Sequence, residues 1–377
     1  MQLEKYLEEK VDINQKILEF IDNGNEEEYK EIEKTFLSQK IQENPQEFKI
    51  IIRLISKISN NYHRLPHFFD KIERILMFLK EDIKKIYSNS EIFDVFKNNK
   101  RLLYFLIKES FIEVDEKITE IITSKKFFIQ ARYPNYFLPE IKDFISFKIQ
   151  KKIESQNRNL LNLNKHEKID QSIFDEMRKI GENENHLCQL IRNDSINDFI
   201  SHVNRSNISF ASTIKPSIFE TNSFLIKNNP TLIEYSAFFG SVQIFKYLYL
   251  NKVEIKPSIW QFAIHSRSSE MIHVLEECQI KPLNDNYQKC LNESIKCHHN
   301  EIANYIFDNF IQNASNSTFS ESIRYFNFLL FPDDLTDPHS FYNLCRSNYI
   351  FIVDFILKTM EIDVNTKIVQ NYQIYRI

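Results

Sequence analysis

The chain has 377 residues, 42% apolar and 27% charged, with 48 basic and 52 acidic side chains and a formal charge of −4. That is enough chain for two or more domains, and a charge too evenly mixed to favour nucleic acid or an anionic membrane. Five cysteines, Cys188, Cys278, Cys290, Cys297 and Cys345, include no close CxxC pair, which suits free thiols in a reducing compartment.

The opening residues interleave charges with apolar positions and lack the hydrophobic core that a signal peptide needs. No apolar run approaches the roughly eighteen residues that span a bilayer. The expectation is an intracellular protein, cytoplasmic or nuclear, without a membrane span.

Residues 1–150 read as an N-terminal α-helical region. Ile72, Ile75, Leu76, Leu79, Ile83 and Ile86, behind Pro66, predict one amphipathic helix. Similar spacing covers Ile50–Ile58, Ile92–Phe96, Leu102–Ile107 and Ile141–Ile149. The last starts at Pro139, a residue tolerated in a helix's first turn. Tyr133-Pro134 and Leu138-Pro139 bracket a predicted turn, because proline steers the preceding residue away from helix. Residues 151–185 begin polar and asparagine-rich and read as a linker or an exposed helix, which places a domain boundary there.

Beyond that boundary the chain repeats itself. Ile-Lys-Pro occurs at 214–216, 255–257 and 280–282. Pro230, Pro257 and Pro338 each stand before a predicted helix, where a missing amide hydrogen costs nothing. The stretch from Ala237 to Leu248 places a small residue, then Gly240, then the apolar pair Ile244 and Phe245, and 108 residues later Cys345, Asn348, Ile352 and Val353 keep every offset. Glycine and asparagine tolerate the left-handed conformation that ends a helix, so each copy predicts a helix, a tight turn and a second helix.

A second copy runs from Pro257 through Ala263, Ser266, Met271 and Leu275, with one more residue in its turn, and a third places Ser294, Cys297, Ala303 and Ile306. Ala263 to Ser294 is 31 residues, near the ankyrin period of about 33. Ile191–Val203 reads as a further degenerate copy, and residues 311–337 as an insertion or a helix around Phe319–Leu330 that breaks the register. Ile362-Asp363-Val364-Asn365 resembles the hairpin that opens an ankyrin repeat. The expected fold is all-α: an ankyrin-like helical repeat solenoid over 186–377, clearest at 229–255, 257–280, 286–310 and 338–366, preceded by the N-terminal helical region. A generic helical-hairpin array is the alternative, and the Ala-x-x-Gly turn favours ankyrin.

Several strings extend the likeness, among them Asn61-Tyr-His-Arg64, Tyr133-Pro-Asn-Tyr-Phe137, Ser217-Ile-Phe-Glu-Thr-Asn222, Leu232-Ile-Glu-Tyr-Ser-Ala-Phe-Phe-Gly240 and Ile295-Lys-Cys-His-His-Asn300. With these the chain resembles a divergent ankyrin-repeat family of unknown function that is expanded in parasitic protists. The resemblance implies a helical N-terminal region followed by degenerate repeats, and carries no catalytic residue or cofactor.

Three widely separated glycines cannot form a phosphate-cradling loop or a nucleophile elbow. His166-Glu167 lacks the second histidine of a zinc-protease motif, Asp170 standing in its place. Cys290, Cys297, His298 and His299 are all potential zinc ligands, but neighbouring Cys297 and His298 could share an ion only in an unusual loop. No metal and no cofactor is expected.

The reading is a non-enzymatic scaffold that binds an unidentified protein partner through its repeat surface, by way of Lys252, Glu254, Trp260, His265, Arg267, His298 and His299. Trp260 suits a core position as well as a contact, and the histidines and Arg267 fall at interhelical turns, where solvated side chains are the common case. The alternative is a metal-binding or enzymatic protein whose site is assembled from distant residues.

Overall fold

The computed structural model describes residues 2–125, 127, 132–164, 170–312 and 318–360. His166-Glu167 and the Ile362–Asn365 string lie outside these. Among the described residues the protein is all-helical, with no strand, and its one β-type pairing is an isolated antiparallel bridge, Thr213 to Thr231. Two compact units share the chain: residues 1–57 with 287–377, and residues 58–286. The expected N-terminal region is therefore divided between both units, each of which also holds several of the C-terminal hairpins.

The N-terminal helices form where the apolar spacing places them, with three differences. The helix expected over Ile72–Ile86 is two, Phe68–Phe78 and Lys80–Ile86, separated at Leu79. Tyr133–Tyr136 is a short helix rather than a turn, because Pro134 sits in the first turn, where its absent N–H is not missed. The Ile141–Ile149 pattern breaks at the extended residue Ile145 (φ −115°, ψ 153°), and a new helix, Phe147–Leu160, runs into the expected linker. Ile153 and Asn157 of that helix are buried, and the Asn157 side chain accepts from the Asn135 side-chain amide at 2.8 Å and donates to the Asn135 backbone carbonyl at 3.0 Å.

Among the described residues from 186 onward the same local design occurs six times. A first helix ends, one residue turns left-handed, and a second helix starts. The first helices are His186–Arg192, Leu232–Phe239, Ile259–His265, Gln288–Lys296, Glu321–Tyr325 and Pro338–Arg346. The left-handed residues are Asp194, Gly240, Arg267, His298, Phe326 and Asn348. In five of the six, the amide of the next residue bonds to the carbonyl five positions back: Ser195 to Leu190, Ser241 to Ser236, His299 to Ser294, Asn327 to Ser322 and Tyr349 to Leu344, at 2.9–3.1 Å. This closure satisfies a carbonyl that the helix end would otherwise leave orphaned. The Arg267 turn departs from it, Ser268 donating its amide to the Ser266 hydroxyl at 3.1 Å instead.

Alignment on the left-handed residue corrects the register expected for these hairpins. Ser236, Ala263, Ser294 and Ser322 fall in one column, and all are fully buried. The small position of the first copy is therefore Ser236, one residue before Ala237, and the second copy has no extra turn residue. Of the two alternatives for residues 311–337, a helix does form within 319–330, but it keeps the pattern and does not break it. Glu321–Tyr325, left-handed Phe326 and the 3-10 turn Phe328–Leu330 form a shortened hairpin of the same design.

Candidate interaction surface

Neighbouring hairpins are joined at their turns by a recurring contact. In three of them the residue just after the left-handed one donates its side chain to the carbonyl three positions before the left-handed residue of the preceding hairpin. The Ser241 hydroxyl reaches the Ile191 carbonyl, the Asn327 amide reaches Ile295 at 3.0 Å, and the Tyr349 hydroxyl reaches Ile323 at 3.1 Å. All three donors are buried. The Asp194 carboxylate adds a fourth link, accepting the amides of Gln243 and Ile244 at 3.0 Å and so capping the next hairpin's second helix. Gly240 is needed for close approach as well as for its φ of 71°, since a Cβ there would lie 3.3 Å from Cβ of both Ser266 and Ser268.

N-terminal residues meet this turn edge, or the segments beside it, within each unit. In the unit of residues 58–286, His63 Nδ1 donates to the His265 carbonyl at 3.2 Å, and Arg267 donates to the Tyr62 hydroxyl and lies 5.2 Å from the Tyr62 ring centroid. Arg64 reaches the Gly181 carbonyl (3.1 Å) and the Thr221 hydroxyl (2.9 Å). The Lys100 ammonium donates to the Ile218 carbonyl at 2.9 Å, and burial pushes its pKa down to about 7. In the other unit Arg53 donates to the Ser347 carbonyl at 2.9 Å, Asn14 accepts the Phe328 amide at 3.2 Å, and Tyr6 stacks on Phe351 at 4.5 Å.

Those contacts decide the fate of the residues singled out from sequence. His265, His298 and His299 do sit at turns, but they are buried, not solvated. His265 packs its ring between Phe224 and Phe238, at centroid distances of 4.2 and 4.9 Å. His298 donates Nε2 to the Tyr325 carbonyl at 3.1 Å, its Nδ1 has no hydrogen-bond partner, and burial pushes its pKa down to about 4. Trp260 is 0% exposed and donates its indole N–H to the Ile280 carbonyl at 2.7 Å. Arg267 is partly buried. Lys252 and Glu254 alone of the set are exposed.

The zinc candidates do not converge. Among the described residues, no three of Cys290, Cys297, His298 and His299 place ligand atoms within 4.8 Å of one another. Burial pushes the Cys290 thiol up to about 12 and the Cys297 thiol well above its usual value, which disfavours a nucleophilic role for either.

Lys252 and Glu254 belong to a second, open edge, where the chain leaves each second helix. Asn207, Lys252 and Gln279 are left-handed there, and the amides of Ile208, Val253 and Ile280 close back onto Val203, Leu248 and Leu275 at 2.9–3.2 Å. The helices Val242–Leu250 and Ser269–Glu277 pack together, so the loops 251–257 and 279–286 leave adjacent helix ends. These segments expose Leu250 (76%) and Leu283 (62%) beside Lys256 and Lys281. Sequence reading missed both leucines. It also missed Asp194, Ser241, Asn327 and Tyr349, whose signal is the polar residue next to each turn.

Comparison with protein-family models, with curated proteins and with solved structures finds no match to this chain. Among the described residues, no helix is long and apolar enough to cross a membrane.

Proposed function

We propose that the chain is a non-enzymatic interaction scaffold, an ankyrin-like stack of helical hairpins that meets a protein partner along its open edge. The observation that carries this reading is the turn-to-turn hydrogen bond made three times from equivalent positions. A contact that recurs between successive units is what a stacked array requires, because each hairpin alone is too small to bury its apolar face. The resemblance to divergent ankyrin-repeat proteins of parasitic protists belongs to the same proposal and is supported by the same turns.

The contact residues of this reading are Leu250, Lys252, Glu254, Lys281 and Leu283. Exposed apolar side chains rimmed by charge are the usual composition of a partner-binding patch. The test is affinity capture from native extract, with wild type beside a Leu250→Ser, Lys252→Asn, Glu254→Gln variant, asparagine being chosen because Lys252 is left-handed (φ 60°). A protein lost with the variant, at a melting temperature within about 2 °C of wild type, supports the open edge. Identical retention by both proteins argues against it.

A further inference from the structure

The turn edge of the unit formed by residues 1–57 and 287–377 gathers five cations. Arg53 and Lys57 come from the helix Pro45–Asn61, and Lys296, Arg324 and Arg346 lie in the last turns of three first helices. Tyr325 brings two of them together: the Lys57 ammonium and the Arg324 guanidinium each lie 5.6 Å from its ring centroid, and its carbonyl holds His298. Arg53 is tied to the Ser347 carbonyl, beside Arg346 in the chain. Glu293 pairs with Lys296 at 2.7 Å and Glu321 with Arg324 at 3.5 Å. Among the described residues, neither Arg53 nor Arg346 has a carboxylate within 4.0 Å.

Cations in the last turn of a helix are favoured by its dipole, which accounts for Lys296, Arg324 and Arg346 individually. It does not account for Arg53 and Lys57, which a different helix brings to the same place. The crowding is felt at Lys57, whose ammonium is pushed down to about 8 by burial first and then by Arg324, Arg53, Lys296 and Arg346. A site that holds like charges together in partial burial is stabilised by an anion of matching charge.

We propose that this cluster is a binding site for a phosphate group. Three guanidiniums offer planar donor forks that match the oxygens of a phosphate, and a dianion offsets more of the excess charge than a single carboxylate does. The site stands on the placement of these side chains and does not depend on the partner-binding reading of the open edge. Both a soluble polyphosphate and a phosphorylated protein segment present this chemistry.

The test is calorimetric titration of the full chain at low salt with inorganic pyrophosphate, and separately with a phosphoserine peptide. Saturable binding is expected for at least one of them, and which one identifies the source. Arg53→Gln with Arg346→Gln is expected to weaken that binding by about tenfold or more, since each removed guanidinium takes charge-assisted hydrogen bonds with it. Arg346→Gln alone, at an exposed position, serves if the double variant does not fold. Lys252→Gln with Lys281→Gln, on the open edge, is expected to change the affinity less than twofold. Lys57→Met is expected to melt at or above the wild-type temperature while binding phosphate more weakly. No saturable binding of either titrant, or equal weakening by the Lys252 and Lys281 changes, overturns the proposal.

Discussion

Six residues set the turns, and they differ in how readily they adopt the left-handed conformation. Gly240 adopts it freely; Asp194 and Asn348 tolerate it. Arg267, His298 and Phe326 carry side chains that disfavour it, so the surrounding contacts hold them there. Gly240→Ala is expected to destabilise the protein by about 1–3 kcal/mol in urea unfolding, because φ of 71° and two Cβ atoms at 3.3 Å act together. Asn348→Gly, at φ 59°, is expected to change stability by less than about 1 kcal/mol. Gly240 and Asn348 were legible as turns because their residue types mark the conformation; Arg267, His298 and Phe326 carry no such mark. The same reasoning explains the one-residue slip at Ala237, where alanine was the more conspicuous small residue and Ser236 the one at the buried column.

His298 supplies a pH dependence. Its imidazole is neutral in the fold, with a pKa of about 4 set mainly by burial and opposed by the bond to the Tyr325 carbonyl, Lys57 lowering it further. The unfolded chain binds this proton near pH 6.5 and the folded chain only near 4. Stability is therefore lost as pH falls through that window, by about 3 kcal/mol in total, and this group contributes no slope above or below it. Urea midpoints between pH 7 and 4 are expected to fall less steeply for His298→Asn, which keeps a residue suited to the turn. Parallel slopes for the two proteins would contradict the buried, neutral imidazole.

At the scale of the element, the hairpins are held by what joins them as much as by their own helices. Glu321–Tyr325 has five residues and is followed by a three-residue 3-10 turn, too short to be stable alone. Asn327 ties it to the hairpin before it and Tyr349 ties the next hairpin to it. Tyr349→Phe is expected to cost about 1–2 kcal/mol, because it removes a buried hydrogen bond and leaves the Ile323 carbonyl only the Phe326 amide at 3.3 Å. Tyr342→Phe, at 38% exposure, is expected to stay within about 0.5 kcal/mol of wild type; equal effects would mean the turn contact does not join the hairpins. The helix pairs were legible from apolar spacing and from Pro257 and Pro338. A helix near 319–330 was one of two readings, but its place in the hairpin pattern was not legible, because five residues are less than two turns and carry too little periodicity.

At the scale of the whole molecule, sequence pointed to an all-helical chain, and the described residues are all-helical. It did not show that N-terminal residues meet the turn edge, or the segments beside it, within each unit. Periodicity reports which face of a helix is apolar but not which distant helix will meet it, and His63, Arg64 and Arg53 are polar residues whose partners are backbone carbonyls hundreds of positions away or nearly so. A carbonyl acceptor leaves no trace in residue type. That is why the turn histidines, read as solvated, are buried, and why the open edge is the one that ends each second helix.

Histidine modification by diethyl pyrocarbonate, mapped by mass spectrometry on the native full chain, tests this account most directly. His67, His273 and His339 are exposed and are expected to react first, whereas buried His265, His298 and His299 are expected to react only after denaturation. Native-state modification of these three at the rate of His67 and His273 would mean that the turn edge is open, and would contradict both the covered turns and the assignment of the partner surface to the opposite edge.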